Sequence, residues 1–391
     1  MRAAYAIVAL TSASLGALRI VGAAEWSAAP SVGWSVDHDS NRTMRDGGDP
    51  GEGGHLQMDL LLKRATPNSA LTLRPHVTLQ RYTGDSVSDS DDESLLAAGT
   101  WRTPRSLFNA QASVAQQNTL NTALVDSDLI GLDTRRRSKL AAFAWTHDQT
   151  KDRYQLSVTL NYADVDYQGN DAYRLSGYRY PSASITESIG WSSRSSIQLT
   201  AYGSRLDSDS GERSDSVGAQ VGFTYDLTTR ISMSLSGGYS RQKIEQPFFF
   251  GLFTIETIDS GYTGQFEITR RDTQGQWRLY AARSVTPSGF GALVMRTDGG
   301  LAFDRRFAPR WTTTLSVHYL GNADIGDIRA GEVHAAERFD AGLGWQASRS
   351  WTLNASANLE RLERQQNSSV THGWGAVLAA TWTPHPRYMS R

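Results

Sequence analysis

Strict two-residue alternation is what most limits how this chain can fold. At 153–162, Tyr154, Leu156, Val158, Leu160 and Tyr162 are interleaved with Gln155, Ser157, Thr159 and Asn161. Trp351, Leu353, Ala355, Ala357 and Leu359 alternate with Thr352, Asn354, Ser356 and Asn358, and Ile231, Met233 and Leu235 with Ser232, Ser234 and Ser236. The last such segment carries Trp374, Ala376, Leu378, Ala380 and Trp382. Successive side chains of a strand point to opposite faces, so every segment has one greasy face and one hydrophilic face. Roughly eighteen segments of this kind can be marked, and no long helical period interrupts them in the mature chain. A chain built this way either packs two sheets over an apolar core or closes one sheet into a barrel.

Aromatic residues sit beside the shortest connections. Trp101 and Phe108 flank one, Trp145 and Tyr154 a second, Trp345 and Trp351 a third. Across two more, Trp191 is matched with Ile197 and Tyr225 with Ile231. Together with Trp277, Trp311 and Trp382, they are expected to form one girdle at a single depth. A membrane–water interface selects such a ring, because Trp and Tyr want one apolar end and one wet end. A soluble sandwich has no reason to place them at the same end each time. Tyr82, Tyr167, Tyr239, Tyr262, Tyr319 and Trp374, near the longer connections, are expected to form a sparser second ring.

Connection lengths agree with that reading. Those at 65–69, 102–106, 147–152, 192–196, 227–230, 272–276, 307–310 and 347–350 are short. Those at 40–54, 83–93, 118–134, 207–215, 245–259 and 321–333 are long. Outer-membrane barrels show this rhythm, with tight periplasmic turns and longer outer loops. The expected fold is therefore all-β: a transmembrane antiparallel up-and-down barrel of about 18 strands with both termini periplasmic. It is expected to span 25–383, leaving a short tail at 384–391. Pro75 and Pro181 fall inside strands, where proline marks an edge or an irregularity. Glu187 shares its phase with Ile185, Ile189 and Trp191, so it either faces lipid or adjoins a bulge.

The 391 residues carry a formal charge of −1, which argues against a nucleic-acid binder with its basic face. There is no cysteine, which excludes disulfides, thiol catalysis and thiolate metal sites. Arg2, the mostly apolar run from Ala3 to Leu18, and the small residues Gly22, Ala23 and Ala24 read as a signal peptide over 1–24, cut after Ala23 or Ala24. The expected destination is the outer membrane of a Gram-negative bacterium, with membrane lipid and lipopolysaccharide as partners.

By the same alternation Asp59, Arg74, Glu267, Arg278, Arg296, Asp298, Arg338, Asp340 and Glu360 are expected to face the barrel interior. In a channel such residues set field and selectivity. Alternatively, opposite charges pair across strands and stiffen the wall. Asp89, Asp91, Asp92 and Glu93, and later Asp207, Asp209, Glu212 and Asp215, offer oxygen ligands but lack the glycine and spacing of a calcium loop. They read as solvated outer loops. The run 247–253, PFFFGLF, is the strongly apolar connection and is expected to pack on the barrel's own wall.

Signs of catalysis are few. No Gly-x-Ser-x-Gly elbow occurs, and Gly84-Asp85-Ser86 is similar only to the start of an esterase block. His76 and His318 lie at polar phase with no Ser or Asp partner evident along the sequence. The histidines show no metal-ligand spacing. No enzyme, cofactor or metal is expected.

The first mature strand, Ser31 to Asn41, reads SVGWSVDHDSN. With Asp39-Ser40-Asn41 at its end, it resembles the opening of the β-barrel porin 2 family of Gram-negative outer-membrane barrels. The segment count and the lack of cysteine fit that family along the mature chain. The resemblance implies a channel associated with exopolysaccharide or exosortase systems, with polysaccharide or secretion-system components as partners, and it brings no catalytic residues. Three non-catalytic functions stay open. One is a channel with a hydrophilic lumen for exopolysaccharide export, and a second is a general diffusion porin for small hydrophilic solutes. The third is a non-conducting surface barrel that binds a partner through its loops. The sequence leaves the oligomeric state open.

Overall fold

The computed structural model describes residues 24–44, 48, 50–83, 89–122, 133–150, 153–169, 175–248, 253–325, 333–364, 369–385 and 387–390. The signal segment, Gly84-Asp85-Ser86 and the centre of the apolar run at 249–252 therefore lie outside the described residues. The first strands are β1 (Glu25–Asp39), β2 (Gly51–Thr66), β3 (Ser69–Thr83), β4 (Ser90–Arg102) and β5 (Ser106–Asn118), followed by one helical turn, α1 (Thr119–Thr122). Next come β6 (Arg135–Thr150), β7 (Tyr154–Gln168), β8 (Tyr178–Ser192), β9 (Ser195–Ser208), β10 (Arg213–Thr228), β11 (Ile231–Phe248) and β12 (Phe253–Arg271). The chain ends with β13 (Gly275–Pro287), β14 (Leu293–Ala308), β15 (Trp311–Asp324), β16 (Val333–Gln346), β17 (Trp351–Arg364), β18 (Val370–Trp382) and β19 (Arg387–Ser390).

From β1 to β18 each strand pairs antiparallel with its sequence neighbours, and β1 closes the ring on β18, from Val32↔Trp382 to Asp39↔Gly375. The result is a closed antiparallel barrel of eighteen staves. The tail contributes too: β19 lies along β1 from Glu25↔Ser390 to Ala28↔Arg387, on the same side of β1 as β18. Closure satisfies backbone groups around the ring, and the β12–β13 ladder ends early, at Gly264↔Arg283.

Register identifies the two faces. Tyr202 on β9 and Gln220 on β10 both reach the Thr263 hydroxyl on β12, at 3.1 and 3.0 Å. Side chains of strands that are not neighbours can meet only on the concave side. The opposite face carries Trp34, Val36, Leu160, Ile185, Leu199, Val221, Leu235, Leu359 and Leu378, all exposed in the isolated chain. Glu187 belongs to that outer face. It pairs in unbroken register with Leu156 and Leu199, and the irregularity of β8 falls at Gly190/Ser192.

The prolines mark local faults. Between β2 and β3 the ladder skips from Asp59↔His76 to Leu62↔Leu73, beside Pro75. Between β8 and β9 it skips from Arg179↔Asp207 to Ser182↔Ser204, beside Pro181. A proline has no N–H to give a ladder, and both prolines stand on the outer face.

One end of the barrel is made of tight turns closed by their own side chains. Thr66 and Thr103 accept the amides of Ser69 and Ser106, both at 3.0 Å, and Thr228 accepts those of Arg230 and Ile231. Asp272 accepts those of Gln274 and Gly275, and Ser348 those of Ser350 and Trp351. Hydroxyls and carboxylates favour such short returns. The strand ends bearing Trp101, Phe108, Trp145, Tyr154, Tyr225, Trp345, Trp351 and Trp382 meet at this end, as do both described chain termini. Ring contacts join Trp101 to Phe108 (5.2 Å) and Trp311 to Trp345 (5.8 Å), and Trp191 is 78% exposed.

The other end carries the longer connections. Here β11 and β12 run further than alternation indicates, pairing out to Phe248↔Phe253, so the gap expected at 245–259 shrinks to 249–252. Phe253 is exposed rather than packed on the wall. Two members of the expected second ring are misplaced. Tyr82 faces the lumen and binds Arg42, and Tyr167 is buried inside the barrel. Both stand on the inner face of their strands, and proximity to a loop says nothing about which face a residue occupies. Tyr239 and Tyr262 pack against each other on the outer face, and Tyr319 and Trp374 stand on that face too.

Candidate functional site

The lumen wall is the surface where chemistry can occur. Its polar side chains come from the inward positions of every stave. All nine charged residues singled out above stand on inward positions, and they fall into four groups. Arg74 donates to Asp59 (3.0 Å) across β2–β3, and Arg278 to Glu267 (2.7 Å) across β12–β13. Arg296 lies 3.7 Å from Asp298 along β14. Arg338 donates to both Asp340 (2.6 Å) and Glu360 (2.6 Å). Every one therefore has an opposite charge within reach. Arg74 and Arg278 are nonetheless about half exposed, so water reaches the inner wall at their depth.

Histidines extend two of these groups. His318 on β15 lies 2.9 Å from Asp298, which places β14 to β17 under one stripe: Arg296, Asp298, His318, Arg338, Asp340 and Glu360. His76 Nδ1 is 3.0 Å from Asp59, and its Nε2 is 2.8 Å from the Thr78 hydroxyl. The sequence of groups is that of a charge relay, but the geometry is not. His76 Nδ1 has no hydrogen-bond alignment to the carboxylate, and the Thr78 hydroxyl is buried rather than open to a substrate.

Two segments fold inward from the long-loop end. After β1 the chain turns into the barrel, and Arg42 donates to Asp37 (2.5 Å) and to the Tyr82 hydroxyl (2.5 Å). His55 shares the Asp37 carboxylate, and the Tyr82 hydroxyl donates to Gln80, whose amide donates to Asp92 (2.9 Å). Asp37 and Arg42 are only 10% and 12% exposed. Partly dehydrated opposite charges hold one another far more firmly than surface pairs do. Beyond this clasp Met44 seats on Leu320, Ala336 and Leu362, inward residues of β15, β16 and β17. Its left-handed φ of 48° shows how sharply the chain turns there.

The second segment is the β13–β14 hairpin. Leu293 and Met295 pack inside the barrel with Val165, Tyr167, Leu175, Tyr178, Leu206, Ile244 and Ile325, and Val285, Phe290 and Tyr180 border the cluster. Leu206 and Ile244 are fully covered, so an otherwise polar lumen has an apolar knot at its long-loop end. At the hairpin tip Gly289 accepts the Ser176 amide (2.9 Å).

Asp37 and His55 were missed as lumen residues, although they share the phase of Gly33 and Ser35 and of Gln57 and Asp59. Arg42 sits in a loop, where no periodicity assigns a direction. Nothing in sequence reports that the hairpin leaves the wall.

No family model matches the chain, and no curated protein matches it in sequence. Among solved structures, the Pseudomonas aeruginosa OccK2 (OpdF) in complex with glucuronate aligns at TM-score 0.48 and 12% identity, covering 92% of this chain and 97% of that one. The FrpB iron transporter of Neisseria meningitidis aligns at 0.49 and 8%, covering 92% and 81%. Acinetobacter baumannii OccAB2 aligns at 0.45 and 10%, covering 92% and 98%. At these scores the barrel fold rests on the ladders of this chain itself.

Proposed function

We propose that the protein is an outer-membrane channel for small hydrophilic solutes, set with its long loops outward and its tight turns and both termini in the periplasm. The observation that carries this is the contrast between the two faces of the same strands. The outer face is an apolar belt with aromatic residues at the turn end, as lipid contact requires. The inner face is polar, ion-paired and reached by water, as an aqueous path requires. Lipid and lipopolysaccharide are then the surrounding partners, and solutes pass with no chemical step.

Two segments folded into the lumen favour small solutes over a bulky chain. The rival reading, exopolysaccharide export, draws on the resemblance of Asp39-Ser40-Asn41 and on a wall rich in hydroxyls and amides such as Ser184, Thr186, Thr200 and Gln220. Purified protein in planar bilayers should give stable ohmic openings, and proteoliposomes should swell in small sugars. A silent bilayer would sink the channel. Loss of secreted polysaccharide in a deletion strain, with no swelling in small sugars, would overturn the small-solute reading for export.

A further inference from the structure

β12 loses its neighbour halfway along. Its ladder with β13 runs from Arg271↔Gln276 to Gly264↔Arg283 and, among the described residues, stops there. The flanking ladders do not stop: β11–β12 continues to Phe248↔Phe253, and β13–β14 to Pro287↔Leu293. Above Gly264, then, the β13–β14 hairpin turns into the lumen together with the end of β15, to which β14 stays paired as far as Val294↔Asp324. It crosses beneath β12, where Met295 lies so close to Gly261 that a Cβ there would meet its methyl at 2.7 Å. Its tip reaches the start of β8 and the end of β9. There Gly289 accepts the Ser176 amide, and Gly291, at φ +79°, sits against Ser176 and Ser208.

Val294 is buried with inner-face phase, but the side chains the hairpin lends to the inner cluster have the opposite phase. Val285 is in step with Trp277 and Leu279, and Leu293 and Met295 with Leu301 and Phe303, all residues of the outer face. Were the hairpin to continue the wall, these three would stand outside, beside Tyr262. Backbone is ready for that arrangement as well. Extending the existing register sets Thr263 against Ser284, Tyr262 against Val285, Gly261 against Thr286, and Ser260 against Pro287. The apolar face of the hairpin thus fits two seats, and each seat satisfies what the other leaves open. One buries the face on Val165, Leu206 and Ile244 but, among the described residues, leaves β12 without a ladder to β13 beyond Gly264. The other completes the edge and gives the face to the membrane.

We propose that the β13–β14 hairpin is a gate with these two seats. Docked inside, it narrows the lumen. Zipped onto β12, it completes the barrel wall and clears the passage. The proposal rests on the channel reading above, and bistable packing of this kind is how small local changes become open and closed states.

A chain without cysteine lets introduced pairs report alone. Ser260→Cys with Pro287→Cys joins positions that meet only when the hairpin zips. Ser176→Cys with Gly289→Cys pins the docked tip. Bridge formation is read by mass spectrometry of linked peptides, and opening by single-channel conductance before and after reductant. The expected result is that both bridges form under mild oxidation. The 260/287 bridge should hold the channel at a severalfold higher conductance than the 176/289 bridge, with reductant returning both to one level. Gly261→Leu, which removes the space for Met295, should favour the high level without any bridge. Failure of the 260/287 bridge in folded protein whose 176/289 pair links fully would overturn the gate. Equal conductance in the two bridged forms would overturn it also. If both bridges form yet no variant conducts, the two seats stand and the channel reading fails instead.

Discussion

At the scale of single residues, the lumen charges act through their partners. Arg338 is the shared cation of Asp340 and Glu360, and all three are about a third exposed or less. Arg338→Ala leaves two acidic groups facing each other with no counter-charge. It should cost about 1–3 kcal/mol of unfolding free energy, read from urea midpoints in detergent, and shift the reversal potential in a salt gradient toward cation preference. Glu212, in the connection before β10, differs in kind. Burial pushes its carboxyl above the usual carboxylate range, only partly offset by hydrogen bonds from Gln246 and Ser214. A group with a raised folded value adds stability in full below its ordinary value of 4.5, and that stability is lost as pH climbs through the folded value. Glu212→Gln should therefore match the parent at low pH and exceed it at neutral pH, as thermal melts across that range will show. Glu187 is exposed on the outer face among apolar neighbours. Glu187→Leu should stabilise the protein in lipid by about 1 kcal/mol, with little change in water-exposed fragments.

At the scale of elements, turns and hairpins have separate duties. The capped turns at 66–69, 103–106, 228–231, 272–275 and 348–351 are local structures, each built from a Ser, Thr or Asp and the amides that follow it. They pin register where strands begin, so faults such as those beside Pro75 and Pro181 stay confined. The β13–β14 hairpin answers instead to distant partners. Gly291→Val adds a side chain at a left-handed position that already lies against Ser176 and Ser208. It should loosen the docked tip and increase mean conductance while leaving the barrel's melting temperature nearly unchanged, because the ladders themselves are untouched.

For the whole molecule, closure and two-sidedness are the governing facts. An epitope inserted between Asp209 and Ser210 should be labelled on intact cells, whereas one between Thr273 and Gln274 should be labelled only after the outer membrane is broken. The reverse pattern would invert the proposed orientation. Folded, unheated protein should also migrate differently from boiled protein on gels, since a closed barrel resists opening by detergent until strand pairing fails together.

Much of this was legible along the chain because its physics is local. A strand's two faces follow from alternation alone, so the barrel, the gathering of aromatic residues at its turn end and the inward phase of Asp59, Arg74, Glu267, Arg278, Arg296, Asp298, Arg338, Asp340 and Glu360 could be read before any contact was known. Phase cannot say whether a strand end stays in the wall. Val285, Leu293 and Met295 carry outer-face phase, yet Leu293 and Met295 are buried inside and Val285 packs against them, because the hairpin gains Leu206 and Ile244 as neighbours from strands far away in sequence. Nor can phase place Arg42, which has no strand around it, or say that Tyr82 would serve as its acceptor. Alternation fixes which side of a strand faces water; only closure of the ring brings distant inner faces within reach, and with them the clasp, the knot and the gate.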